Sequence, residues 1–101
     1  MPEWMAETER QAHDYLRAFG FSDEQIAPLV NQTRKDLENE YEKFLRLTQR
    51  HPCPVPELND VLHALKGLLF HMGNHAMAER LNELRGDDID RRCEEIRRLL
   101  S

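Results

Sequence analysis

The 101-residue sequence predicts an all-α protein, an antiparallel bundle of amphipathic helices. Three observations predict it. Apolar residues recur every three or four positions through most of the chain, which is the spacing of one helix face. No stretch alternates apolar and polar residues over the length of a strand, and neither an Asn-Gly nor an Asp-Gly hairpin signal occurs. Short segments carrying Pro or Gly separate the periodic stretches, and helices joined by short loops pack against their sequence neighbours in antiparallel order.

The first helix is expected over about Trp4 to Phe19, with Met5, Thr8, Ala12, Tyr15, Leu16 and Phe19 on its apolar row. Gly20 suits the left-handed position just past its end. Ser22 is a good N-cap for the second helix, and Gln25, three residues on, completes a capping box. The second apolar row is Ile26, Val30, Thr33, Leu37, Tyr41, Phe44 and Thr48, so the helix is long and ends near Arg50. Pro28 leaves two alternatives at its start, a kink or a fresh helix with Pro28 at its first position.

His51-Pro52-Cys53-Pro54-Val55-Pro56 holds three prolines and must be a loop. Pro56 fits the first position of a third helix that runs to His71. Gly73 is the expected left-handed residue that breaks it. A fourth helix carries Ala76, Met77, Leu81 and Leu84 and stops near Arg85-Gly86. Asp87 or Asp88 is the expected cap of a fifth, whose apolar edge is Ile89, Cys93, Ile96 and Leu100. By length, residues 1–101 form one domain, with residues 1–20 as an N-terminal helix and 22–101 as the bundle.

Composition narrows the function classes. An apolar share of 40% with 33% charged residues suits a soluble helical domain and argues against disorder. The net charge is −5, with acids and bases dispersed. Arg91, Arg92, Arg97 and Arg98 are interleaved with Asp90, Glu94 and Glu95, so they read as a solvated face, and a nucleic-acid partner is not expected. The two cysteines, Cys53 and Cys93, form no CxxC motif; Cys93 is expected to pack as a small hydrophobe, with a disulfide as the open alternative and nothing that demands an oxidising compartment. Met1-Pro2-Glu3-Trp4 does not resemble the start of a signal peptide, and no stretch approaches the roughly 20 apolar residues of a membrane span. The expectation is a cytoplasmic protein with no membrane partner.

The chemistry concentrates between Leu58 and Gly73. At about 100° per residue, Leu58, Val61, Leu62, Leu65, Leu68, Leu69 and Met72 gather on one side, which must face the core. His63 points about 160° away from Leu65. It therefore stands on the outer face as an accessible nucleophile. Lys66 and Gly67 lie one turn on, beside it. A glycine inside a helix costs about 1 kcal/mol relative to alanine, and on an outer face it serves no packing purpose. It does clear space next to the imidazole, while Lys66 supplies a mobile cation for phosphate oxygens. Nucleophile, cation and cleared space together suit phosphoryl transfer to nitrogen. Phe70 falls on the His63 side, where it either anchors a partner or is covered by the first or second helix.

His63-Ala64-Leu65-Lys66-Gly67 resembles the His-x-Leu-Lys-Gly motif of histidine phosphotransfer (HPt) domains. The following Gly73, Ala76, Met77, Ala78, Leu81 and Leu84 look like that family's next helix. The resemblance covers about Leu58 to Arg85, with the long preceding helix and the short final one fitting more loosely. It implies an antiparallel four-helix bundle of the HPt type, here with an additional N-terminal helix. It implies His63 as phosphoacceptor, Lys66 as electrostatic support and Gly67 as the small residue permitting approach. Asn59, Asp60 and Phe70, on the same helix, are the expected partner-docking residues. The implied partners are response-regulator receiver domains or a hybrid histidine kinase, with Mg²⁺ on the receiver and no cofactor on this chain. Two positions depart from the family pattern: Leu68 and Leu69 follow the glycine where small residues are usual, and Asn74 replaces an alanine.

Neither a GxxxxGK[ST] nor a GxGxxG nucleotide loop occurs, so the expected role is a phosphoryl carrier rather than an enzyme. Rival readings are weaker. His71 and His75 are four apart, but Gly73 and Asn74 interrupt the helix between them, so no metal site is expected. His13 and His51 stand alone. Asp60, three residues before His63, is the one candidate to orient the imidazole for acid–base work. The alternative from another class is a non-catalytic interaction module that uses the Phe70 face.

Overall fold

A computed structural model of the chain describes residues 2–50, 52–86 and 88–101. The protein is all-α. Helix α1 spans Glu3–Ala18, α2 Asp23–Leu47, α3 Val55–His71, α4 His75–Leu84 and α5 Cys93–Leu100, with a 3₁₀ turn at Ile89–Arg91 before α5. There is no strand among the described residues. No helix is long and apolar enough to cross a membrane.

Cross-helix contacts show the order of packing. Trp4 and Tyr41 meet edge to face at 5.9 Å, Glu9 pairs with Arg34 at 3.3 Å, and Arg17 reaches Asp23 at 2.9 Å, so α1 and α2 run antiparallel. His63 meets Arg85, Lys66 meets Asn82 and Phe70 meets His75, so α3 and α4 do the same. Between these layers Met5, Leu37, Phe44, Leu58, Leu62, Leu65, Leu69 and Leu81 are fully buried, and the chain end adds Ile89, Ile96 and Leu100. Each contributes about 1.5–3 kcal/mol through removal from water.

The expected start of α2 is present. Gln25 N–H donates to Ser22 Oγ at 3.3 Å, and Ser22 N–H donates to Gln25 Oε1 at 2.9 Å. The helix then runs unbroken through Pro28. Pro28 is the sixth helical residue and exposed, so the carbonyl it leaves without an intrahelical donor is that of Glu24, itself an exposed residue of the first turn. α2 ends at Leu47, three residues before the expected stop. α3 begins at Val55, which puts Pro56 at its second position rather than its first. Either place wastes no hydrogen bond, because the first four helical N–H groups have no intrahelical acceptor.

Gly73 adopts φ +84°, as expected of the residue that ends α3. A side chain there is excluded twice over, since a Cβ would lie 2.6 Å from Cγ of Tyr15 in α1. The next residue also has a role that its departure from alanine did not disclose. Asn74 is buried, its Oδ1 accepts from Met77 N–H at 3.4 Å to cap α4, and its Nδ2 donates to Thr8 Oγ1 at 2.8 Å. Thr8 in turn donates to the Trp4 carbonyl at 2.7 Å, so α1 is fastened to the α3–α4 turn by a buried polar chain.

Three expectations are corrected. Phe19, on the expected apolar row of α1, is 66% exposed, while Trp4 at the other end is buried and donates from Nε1 to the Leu100 carbonyl at 2.7 Å. Ala76 is exposed on α4, and Ala78 takes the core position, because the helix starts only at His75 and its inward stripe runs through Ala78, Leu81 and Leu84. Asp88 does not cap α5. A 3₁₀ turn intervenes, Asp88 Oδ2 pairs with Arg92 Nε at 3.1 Å, and α5 starts behind Arg92 with no side-chain cap. Asp87, the other expected cap, and His51 lie outside the described residues.

Candidate functional site

The apolar stripe of α3 is buried as its spacing demands: Leu58, Val61, Leu62, Leu65, Leu69 and Met72 are all buried, with Leu68 half-buried. That burial fixes the rotation of the helix and turns His63 outward, where it is exposed. The histidine sits halfway along a rigid element, between the groove that α3 makes with α2 and the face that it shares with α4.

Arg85, at the end of α4, meets the imidazole. Its Nη1 lies 3.2 Å from Nδ1 of His63 and also donates to Asn82 Oδ1 at 3.4 Å. A guanidinium is always a donor, so Nδ1 accepts in this pairing and the proton of the neutral ring resides on Nε2. The Lys66 ammonium donates to the same Asn82 oxygen at 3.4 Å. Asn82 therefore holds two cations next to one histidine. Nε of Arg85 is enclosed and has no hydrogen-bond partner among the described residues, so the outer Nη groups are the ones that can meet an acceptor from outside.

The loop carrying Arg85 is held from α3. Asn59 Nδ2 donates to the Gly86 carbonyl and Gly86 N–H donates to Asn59 Oδ1, both at 3.1 Å. Asn59 is half-buried one turn before His63, so its amide is engaged in positioning Arg85. Asp60 is exposed and lines the α2–α3 groove beside Lys43 and Arg46. No hydrogen bond joins it to His63 among the described residues; the imidazole's partner is Arg85.

Gly67 opens onto both sides of α3. It lines the α2–α3 groove with His63, Lys43 and Arg46, and the α3–α4 face with Lys66 and Phe70. A Cβ placed on it would meet nothing within 4 Å, so internal packing does not require the glycine. Phe70 is 53% exposed, and neither α1 nor α2 covers it. Its ring stacks on His75 at 4.4 Å and 24°, His75 meets Tyr15 at 5.6 Å, and Tyr15 meets Phe19 at 5.0 Å. His75 is thus built into an aromatic ladder, and His71 meets the Phe70 ring of the same ladder edge to face at 6.5 Å.

The structure brings together His63, Lys66, Gly67 and Asn59, and adds Asn82 and Arg85, which the sequence reading did not single out. Asn82 in the last turn of α4 and Arg85 just past its end, beside the inward row of Ala78, Leu81 and Leu84, were the available signal. It marks a polar edge next to the core but does not say which neighbouring helix that edge meets.

Compared with known proteins, the chain matches no protein-family model, no curated protein and no solved structure.

Proposed function

We propose that the protein is a histidine-containing phosphocarrier, an HPt-type bundle of α2 to α5 with α1 added, that exchanges a phosphoryl group between His63 and the aspartate of a receiver domain. One observation carries this reading: an exposed imidazole in the middle of a rigid helix, with Arg85 on its Nδ1, Lys66 alongside and unfilled space at Gly67. A trigonal phosphoryl group needs an in-line nucleophile, cations for its equatorial oxygens and room for the donor. These residues offer all three.

In the forward step the neutral imidazole attacks phosphorus of the acyl phosphate. The N–P bond forms, the P–O bond to the aspartate breaks, and its electron pair returns the donor to a carboxylate. Attack through Nε2 requires the ring proton on Nδ1. That tautomer cannot accept from Arg85, so the same shift releases the guanidinium towards the phosphoryl oxygens. Mg²⁺ belongs to the receiver in this scheme, and this chain supplies the nucleophile and the cations. Receiver domains and hybrid histidine kinases are the proposed partners, docking over Asp60 and Phe70.

The test is transfer from a phosphorylated receiver domain in the presence of Mg²⁺. Acid-labile, base-stable label located on His63 and absent from His63→Gln supports the carrier. A folded chain that takes no label from a panel of receivers sinks it. A second reading, a non-catalytic interaction module, is favoured by the ladder of Phe19, Tyr15, His75 and Phe70, in which all but the half-buried Tyr15 are exposed. It predicts that His63→Gln leaves function intact while Phe70→Ala abolishes partner binding.

A further inference from the structure

Away from His63, the chain's two cysteines meet. Cys53 lies in the loop between α2 and α3, and Cys93 is the first residue of α5. Forty positions apart in sequence, their sulfurs stand 4.0 Å from one another. Both are free and half-buried, and both pack against the rim of the main core. Small hydrophobes would serve that rim equally well without bringing two thiols into contact.

We infer that Cys53 and Cys93 are a reversible thiol pair that closes to an intramolecular disulfide when a small-molecule disulfide is in excess. Bond formation needs the sulfurs to approach to about 2.05 Å. Cys53 is outside any helix, so only one partner is pinned by helical backbone, and rotation of the two side chains with a small loop adjustment supplies the approach. Half-burial leaves the pair within reach of a small reagent.

The chemistry is ordinary exchange. Burial, and then the neighbouring Cys53, push the Cys93 thiol up to about 11, which makes it the poorer first nucleophile. Cys53 therefore loses its proton to solvent and attacks one sulfur of the small disulfide, whose S–S bond breaks to release one small thiol. Cys93 then loses its proton and attacks Cys53 Sγ. The mixed S–S bond breaks and the second small thiol leaves. Two protein thiols are oxidised by two electrons, and one small disulfide is reduced to two thiols.

The bond would join the α2–α3 loop to the start of the least self-sufficient helix. α5 has eight residues and no side-chain cap, and isolated helices shorter than about 12 residues are marginal in water. It is held by Ile96 and Leu100 in the core, by Trp4 on the Leu100 carbonyl, and by Arg97, which donates to the Thr48 carbonyl at 3.0 Å. A covalent link at Cys93 adds a staple to the end of α5 opposite Leu100. The inference is independent of any role for His63.

The experiment uses the reduced 101-residue chain, equilibrated over a series of reduced-to-oxidised glutathione ratios and quenched with acid. The expected product is a monomer lighter by two hydrogens, with Cys53 and Cys93 in one linked peptide. It should revert with dithiothreitol and melt on the order of 10 °C higher than the reduced form. Cys93→Ser should instead stop at a glutathione adduct on Cys53. A chain that is folded by circular dichroism yet accumulates only glutathione adducts, only intermolecular dimers or only unmodified thiols across the series overturns the proposal.

Discussion

Nη1 of Arg85 stands 3.2 Å from Nδ1 of His63, so the histidine's inner nitrogen is engaged by a cation that arrives from the next helix. The pairing joins residues 22 positions apart and depends on Asn82 and on the Asn59–Gly86 bonds that hold the end of α4 in place. It defines the ring's tautomer and supplies a charge where a phosphoryl group would gather its own.

Arg85→Ala should therefore change His63 without unfolding the protein. Nitrogen chemical shifts of the ring should show the loss of the Nε2-protonated preference. If His63 carries phosphoryl groups, removal of one such donor lowers the transfer rate by about 100- to 1,000-fold, by analogy with other preorganised oxyanion donors. Arg85→Lys, which keeps the charge but loses the planar fork, should recover only part of it. Unchanged ring shifts in Arg85→Ala would show that the contact does not persist in solution.

Gly67→Ala should separate stability from function. The added methyl meets nothing within 4 Å and replaces a helix-interior glycine, so the protein should gain about 0.5–1 kcal/mol against urea. Phosphoryl acceptance from a receiver should fall, because the methyl occupies the approach beside His63. A stabilised variant with full transfer would remove Gly67 from the site.

Gly73→Ala should behave in the opposite way. At φ +84° a side chain is strained, and its Cβ would fall 2.6 Å from the Tyr15 ring carbon, forcing α1 off the α3–α4 turn. A loss of about 2 kcal/mol or more is expected in equilibrium unfolding. Tyr15→Ala in the same background should return part of it by relieving the contact, while the backbone strain remains.

The Cys93 thiol predicts a pH dependence in the reduced protein. Its folded-state value is raised from 9.0 to about 11, chiefly by burial. Between those values the folded chain keeps a proton that the unfolded chain has lost. The contribution is thus fully present below about pH 9 and is lost as pH rises towards 11. Tyrosines and lysines titrate in the same range, so the measurement is the difference in urea midpoint between the native chain and Cys93→Ser. That difference should shrink across the window; a constant difference would contradict the shift.

Much of this architecture was legible before any coordinates. Helix number and class follow from apolar spacing, the Ser22–Gln25 box and the Gly73 stop follow from local backbone chemistry, and the outward direction of His63 follows from the stripe that Leu58, Leu62, Leu65 and Leu69 must bury. The misplaced features lie where local signals compete or where distant segments decide. Phe19 continues the α1 row but runs past the end of the partner surface, and Asp88 resembles a cap until Arg92 takes its carboxylate.

What the sequence determined by itself is a set of amphipathic helices and a solvent-facing histidine with a cation and a glycine one turn away, because helical periodicity and hydrophobic burial act over a few residues. What only the tertiary structure decided is who meets whom. Arg85 on His63, Asn82 between two cations, Asn74 on Thr8 and Cys53 against Cys93 all join separate elements. Their geometry depends on how whole helices rotate and slide against one another, and that is set by the sum of core contacts rather than by any local pattern.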